Sequence, residues 1–245
     1  MDYSRYVCSV KERWQCLLVS MGLSGVLAWL FYRSWWGMLL FPVVCIVYMK
    51  SYRDMQIKRQ KERLLYEFKD TMQALSSALL AGYSMENAWR DAERELLELH
   101  GDQSIMLAEV HRMNVAVRMN EPIEYVLAEF AGRSGCEEIE SFAEIFVFAK
   151  RSGGDFAKII RTTVKKLTGK IEVEQEIATV LAGKKLEGRV MNIMPLLILA
   201  YMKLTAGDFL DVLYGNSLGV CIMTVVLIGY ALALKLSARI LDIRI

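Results

Sequence analysis

The chain has 245 residues, 54% of them hydrophobic, with a mean hydropathy of +0.27 and a formal net charge of +2. That apolar fraction exceeds what a water-soluble domain of this length carries, and so small a charge offers no basic field to nucleic acid. Three prolines, no β-type alternation and five scattered cysteines without a CxxC or Cys/His cluster argue against a sheet, a disulfide framework or a zinc module. An all-α chain lying partly in a membrane is predicted.

In chain order, residues 1–15 are polar and carry Arg5, Lys11 and Arg13. Apolar runs follow at 16–32 and 35–49, separated by Arg33-Ser34 and flanked by Trp14, Trp35, Trp36, Tyr48 and Tyr52. Two short runs in such close succession, with interfacial aromatics, predict a transmembrane hairpin over 16–52. No small-x-small cleavage site follows the first run, which argues against a cleaved signal peptide.

From Lys50 the chain turns basic (Arg53, Lys58, Arg59, Lys61, Arg63) and stays polar and helical to about Arg189. Helices are predicted at roughly 54–81, 84–99, 103–119, 122–133, 136–151 and 155–189, a six-helix bundle over 53–189 built of antiparallel pairs. Leu65, Phe68, Met72, Leu75 and Leu79 form one seam, and Met106, Val110, Met113 and Val117 another. Ile139, Phe142, Phe146 and Ala149 form a third, and Ile160, Val164, Leu167, Ile171, Ile177 and Leu181 mark a long last helix.

Corners of one kind punctuate these helices. Gly82 can close a helix in the left-handed region, and Ser84 can cap the next one. Asn120 and Pro122 repeat the pattern before Ile123, and Gly153, Gly154 and Asp155 repeat it before Phe156. Internal duplication and the ordinary needs of a bundle explain this equally well.

A third apolar run starts at Val190 and contains Pro195 and Lys203; a fourth covers Leu218 to Leu236. Together they predict a second hairpin over 190–236 and a basic tail at 237–245 with Arg239 and Arg244. The loop between them holds Asp208 and Asp211 but no Lys or Arg. Basic termini and a basic central block therefore predict four transmembrane helices with both termini and residues 53–189 in the cytoplasm.

Gly183-Lys184 and Gly169-Lys170 lack the glycine and the Ser/Thr that a phosphate loop needs. Glu137, Glu138, Glu140 and Glu144, and likewise Glu172, Glu174 and Glu176, read as solvated faces. No nucleophile–base pair, metal set or cofactor loop is expected, so the chain is not expected to be an enzyme.

The stretch Ala74 to Ala88, with Ala81-Gly82-Tyr83-Ser84-Met85-Glu86-Asn87-Ala88 at its end, resembles the type II secretion F domain family. The likeness continues through Asn120 to Leu127, Gly153 to Ile160 and Asn192-Ile193-Met194-Pro195, where the chain enters the membrane. Asp208 to Gly219 and Ile240 to Ile245 resemble the C-terminal span of TadB-like platform proteins of tight-adherence (Flp-type) pili. The Asn120-Glu121-Pro122 corner departs from a Gly-x-Ser-like turn frequent in the family, and the sister TadC-like group shares the domain.

This resemblance implies a platform in the cytoplasmic (inner) membrane, without cofactors. It implies a cytoplasmic secretion ATPase, a TadC-like sister protein, pilin-like subunits and membrane lipid as partners, in a homo- or hetero-oligomer. Lys165, Lys166 and Lys170 on the last cytoplasmic helix are one candidate ATPase contact; solvation or anionic lipid accounts for them equally. The alternative from another class is a membrane-anchored signalling receptor or membrane enzyme with a helical cytoplasmic domain.

Overall fold

A computed structural model of the chain describes residues 3, 9–32, 41–152, 155–205 and 217–241. The described residues form eight α-helices and no strand: α1 (Val10–Phe31), α2 (Phe41–Leu80), α3 (Met85–His100), α4 (Ile105–Arg118), α5 (Ile123–Ser134), α6 (Glu137–Ser152), α7 (Phe156–Thr205) and α8 (Ser217–Leu241). Two compact units emerge. One comprises residues 1–7 and 53–173, the other residues 8–52 and 174–245, so α2 and α7 each contribute to both.

The helical unit is closed by the seams of α2 to α7. Phe68, Met72 and Leu75 of α2, Trp89 of α3, Met106 and Val110 of α4, Phe130 of α5, and Phe142 and Phe146 of α6 are buried in one cluster. Phe68 meets Phe142 edge-on with ring centroids 5.6 Å apart, and Phe146 lies 5.1 Å from Phe156. On α7 full burial in this cluster stops at Leu167.

Two corners have a common local cause. Gly82 (φ 87°) receives the end of α2, where the Tyr83 N–H donates to the Ala78 carbonyl (3.1 Å) and the Gly82 N–H to Leu79 (3.1 Å). Asn120 (φ 66°) closes α4 in the same way, through Glu121 N–H to Ala116 (3.0 Å) and Asn120 N–H to Val117 (3.0 Å). This pair of bonds satisfies the last free carbonyls of a helix and requires a left-handed residue, which Gly and Asn adopt most readily. Ser84 then caps α3 by accepting from the Asn87 N–H. Pro122 stands at the extended cap position of α5 rather than inside its first turn. Gly153 and Gly154 lie outside the described residues, but Asp155 caps α7, accepting the Lys158 N–H at 3.1 Å.

The closest helix neighbours are α3 with α4, α4 with α5, and α5 with α6. The Asn120 corner, one of three expected to join antiparallel pairs, does connect two neighbouring helices, and the Gly101–Ser104 and Gly135–Cys136 corners connect the other nearest pairs.

Glu67 of α2 is buried and fixes the α3–α4 corner. Its carboxylate accepts from Ser104 Oγ (2.9 Å), the Met106 N–H (2.9 Å) and Arg63 Nε (2.7 Å). Ser104 in turn caps α4 by accepting from the Leu107 N–H at 2.9 Å.

In the other unit, α1 and the Leu218–Ile240 stretch of α8 are each long and apolar enough to cross a membrane. The other two apolar runs do not stand as helices of their own. The described part of the second run is the first turns of the 40-residue α2, and the third is the end of the 50-residue α7. No Pro interrupts Met49 to Arg53 or Leu186 to Val190, and neither Ser51 nor Gly188 breaks its helix, so helix propagation continues where hydrophobicity changes. Pro195 lies inside α7 and deprives the Met191 carbonyl of its usual donor. The neighbouring Asn192 carbonyl accepts from Tyr230 Oη (2.5 Å), and Asn192 Nδ2 donates to Ser237 Oγ (3.3 Å). Tyr32 and Thr224 share a hydrogen bond of 2.9 Å beside the apolar cluster of Leu30, Phe31 and Met223. Lys203 donates to the Trp29 carbonyl and lies 4.5 Å from that indole's centroid, a partner for a charge within an apolar run. Arg33 to Leu40, the acidic loop with Asp208 and Asp211, and Arg244 lie outside the described residues.

Candidate functional site

A groove of about 500 Å³ runs between α6 and α7 on the helical unit. Its floor is apolar because the two helices turn Phe142, Ile145, Ile159 and Leu167 toward each other. Phe142 and Leu167 are buried in the main cluster, while Ile145 remains 46% exposed. The floor is thus continuous with the core yet open to water.

The rims differ in charge. Lys158, Thr162, Lys166 and Lys170 recur every four residues and form one ridge along α7. Glu137, Glu138 and Ser141, from the first turn and a half of α6, form the facing rim. Acids belong there electrostatically, since the first turn of a helix carries positive partial charge. Lys170 Nζ bridges the groove to Glu138. Lys158 and Lys166 are exposed. One end of the groove is therefore tied across by an ion pair, and the other presents cations beside bare apolar surface.

Of the three lysines singled out from the sequence, Lys166 and Lys170 line this groove and Lys165 does not. Lys165 shares a helix face with Arg161, one turn earlier. Sequence reasoning missed Lys158 as a member of the ridge, although its spacing of eight from Lys166 was there to be read. Glu137 and Glu138, read from the sequence as part of a solvated face, line the opposite wall, with Glu137 exposed.

Elsewhere on the unit, several carboxylates are held in ion pairs. Burial alone would raise the Glu93 carboxyl, but hydrogen bonds from His111 (2.6 Å) and Asn114 (2.6 Å) hold it below the usual carboxylate range. Glu124 is likewise held low against its own desolvation by Lys150 at 2.6 Å. Burial pushes the Cys136 thiol up, which makes it a poor thiolate nucleophile. Among the described residues no group of three or more His, Cys, Asp or Glu side chains is placed to hold a metal ion.

An apolar trough with a cationic ridge suits recognition. It can receive an amphipathic segment whose apolar face fills the floor and whose acidic face meets Lys158 and Lys166. No family model matches this chain, and no curated protein or solved structure matches it.

Proposed function

We propose that the protein is a platform in the cytoplasmic membrane of a pilus-assembly or secretion machine, akin to the TadB-like group. Its helical unit takes up a cytoplasmic secretion ATPase, and its apolar helices serve pilin-like subunits and lipid. The observation that carries the reading is the α6–α7 groove on a helical unit that shares two long helices with an apolar unit. In this reading four spans cross the membrane, the second and third being the apolar ends of α2 and α7. Both termini and the helical unit then face the cytoplasm, as the distribution of basic residues favours.

The test is capture of the cognate ATPase by the full chain in detergent. Charge reversal by Lys158→Glu and Lys166→Glu together should abolish capture, while Lys165→Glu should leave it within about twofold. A parent chain that captures no ATPase removes the motor-docking role. Topology is checked with single cysteines at Arg59, which is exposed, and at Asp211, using an impermeant thiol reagent on intact cells. Labelling at Arg59→Cys without labelling at Asp211→Cys would reverse the orientation and end the platform reading.

A further inference from the structure

The helical unit also contains a buried polar site to which a distant part of the chain is bound. Tyr3 is only 2% exposed and belongs to the main core cluster, although 106 positions separate it from its partner Glu109. Its phenol donates to Glu109 Oε1 at 2.8 Å, and its backbone N–H donates to the Arg133 carbonyl at 3.0 Å. Glu109 of α4 is itself 5% exposed. It accepts from both terminal nitrogens of Arg133 on α5, at 3.0 and 2.8 Å.

Two features distinguish this arrangement from an ordinary core contact. First, the charges are complete without Tyr3. The bidentate Arg133–Glu109 pair spans α4 and α5 and neutralises itself, so withdrawing the phenol strands no lone ion. Second, recognition reads both ends of one residue, a backbone N–H at one side and a phenolic O–H at the other, with the ring in apolar surroundings. Burial, together with the hydrogen bond to Glu109, raises the Tyr3 phenol far above its ordinary value, so it stays protonated and able to donate. Phenylalanine fits the ring space but leaves the O–H donor out.

We propose that Glu109 and Arg133 form a binding socket for a tyrosine-bearing peptide, and that the protein's own Tyr3 is its exchangeable occupant. Tyr3 stands six positions before Ser9, whose N–H is bonded by Glu12 at the start of α1. By linkage, a ligand that competes for the socket releases Tyr3, and withdrawal of Tyr3 frees the socket. The inference is independent of the ATPase reading, since it concerns α4 and α5 and not the α6–α7 groove.

A trans-binding experiment tests it. The full chain lacking residues 2–7 is titrated in detergent with a fluorescent synthetic peptide of residues 1–7. Occupancy in cis requires a dissociation constant no weaker than the millimolar effective concentration of a short tether, so saturable binding is expected within that range. The parent chain, its socket filled, should bind at least tenfold more weakly. A peptide with Tyr3→Phe should lose about 10–100-fold, the ratio expected for one hydrogen bond to a buried carboxylate. Equal binding of the two peptides, or none at several millimolar, overturns the proposal. A second measurement avoids truncation: trypsin should cut after Arg5 about tenfold faster in the full-length Tyr3→Phe chain than in the parent. An unchanged rate there is equally fatal.

Discussion

Glu67→Ala is the sharpest perturbation of the helical unit, because one buried carboxylate serves three donors. Removal leaves Ser104 Oγ and the Met106 N–H without their acceptor at the start of α4, beside the core residues Leu64 and Phe68. A hydrogen bond to a charged acceptor contributes about 1.5–3 kcal/mol, and an orphaned buried donor costs a similar amount. The Arg63 contact adds little, since the arginine side chain is 52% exposed. Two donors therefore set the loss at about 3–5 kcal/mol, which for a unit of this size lowers Tm by about 10–20 °C. Glu67→Gln keeps an acceptor oxygen and should lose about half as much. Hydrogen exchange of the full chain supplies the local readout: amides at 105–107 should exchange about a hundredfold faster in Glu67→Ala. Parent-like melting together with parent-like exchange at Met106 would show that Glu67 does not hold the α3–α4 corner.

Other expectations follow from single residues. Gly82→Val should lower stability by about 1–3 kcal/mol through backbone strain alone, since a Cβ there meets nothing within 4 Å; Asn120→Gly, at the equivalent αL position, should be neutral within about 0.5 kcal/mol in the same denaturation assay. Phe142→Ala should cost about 3–5 kcal/mol and open the groove floor to a solvatochromic dye, because this ring joins Phe68 and Phe146 in the core. Burial would raise the Glu109 carboxyl, but hydrogen bonds from Arg133 and Tyr3 outweigh it and depress the folded pKa. Its contribution is thus complete above the ordinary carboxylate value near 4 and is lost as pH falls through the lower folded value; Glu109→Gln should flatten the acid limb of a stability–pH curve below about pH 4.

Much of the fold was legible in the chain because it rests on short-range causes. A three–four spacing puts Phe68, Met72 and Leu75 on one face of a helix wherever that helix packs. A left-handed residue after the last turn closes a helix at Gly82 and Asn120 irrespective of its neighbours. Hydropathy alone was a weaker guide to where helices end. At Arg53 and Arg189 the hydropathy of the sequence changes but the backbone hydrogen bonding does not, so α2 and α7 pass through both positions.

The sites were decided by contacts between residues far apart in sequence. Lys165, Lys166 and Lys170 are equivalent as a string of charges, and only the packing of α7 against α6 separates the groove-lining pair from Lys165. Glu138 looks like one acid in a solvated run until Lys170 is brought beside it. Nothing local marks Tyr3, Glu109 and Arg133 as partners: their meeting depends on α4 and α5 stacking so that a carboxylate, a guanidinium and a main-chain carbonyl converge. Periodicity determines which face of a helix is buried, whereas the neighbours of each polar group on that face exist only once the helices have packed.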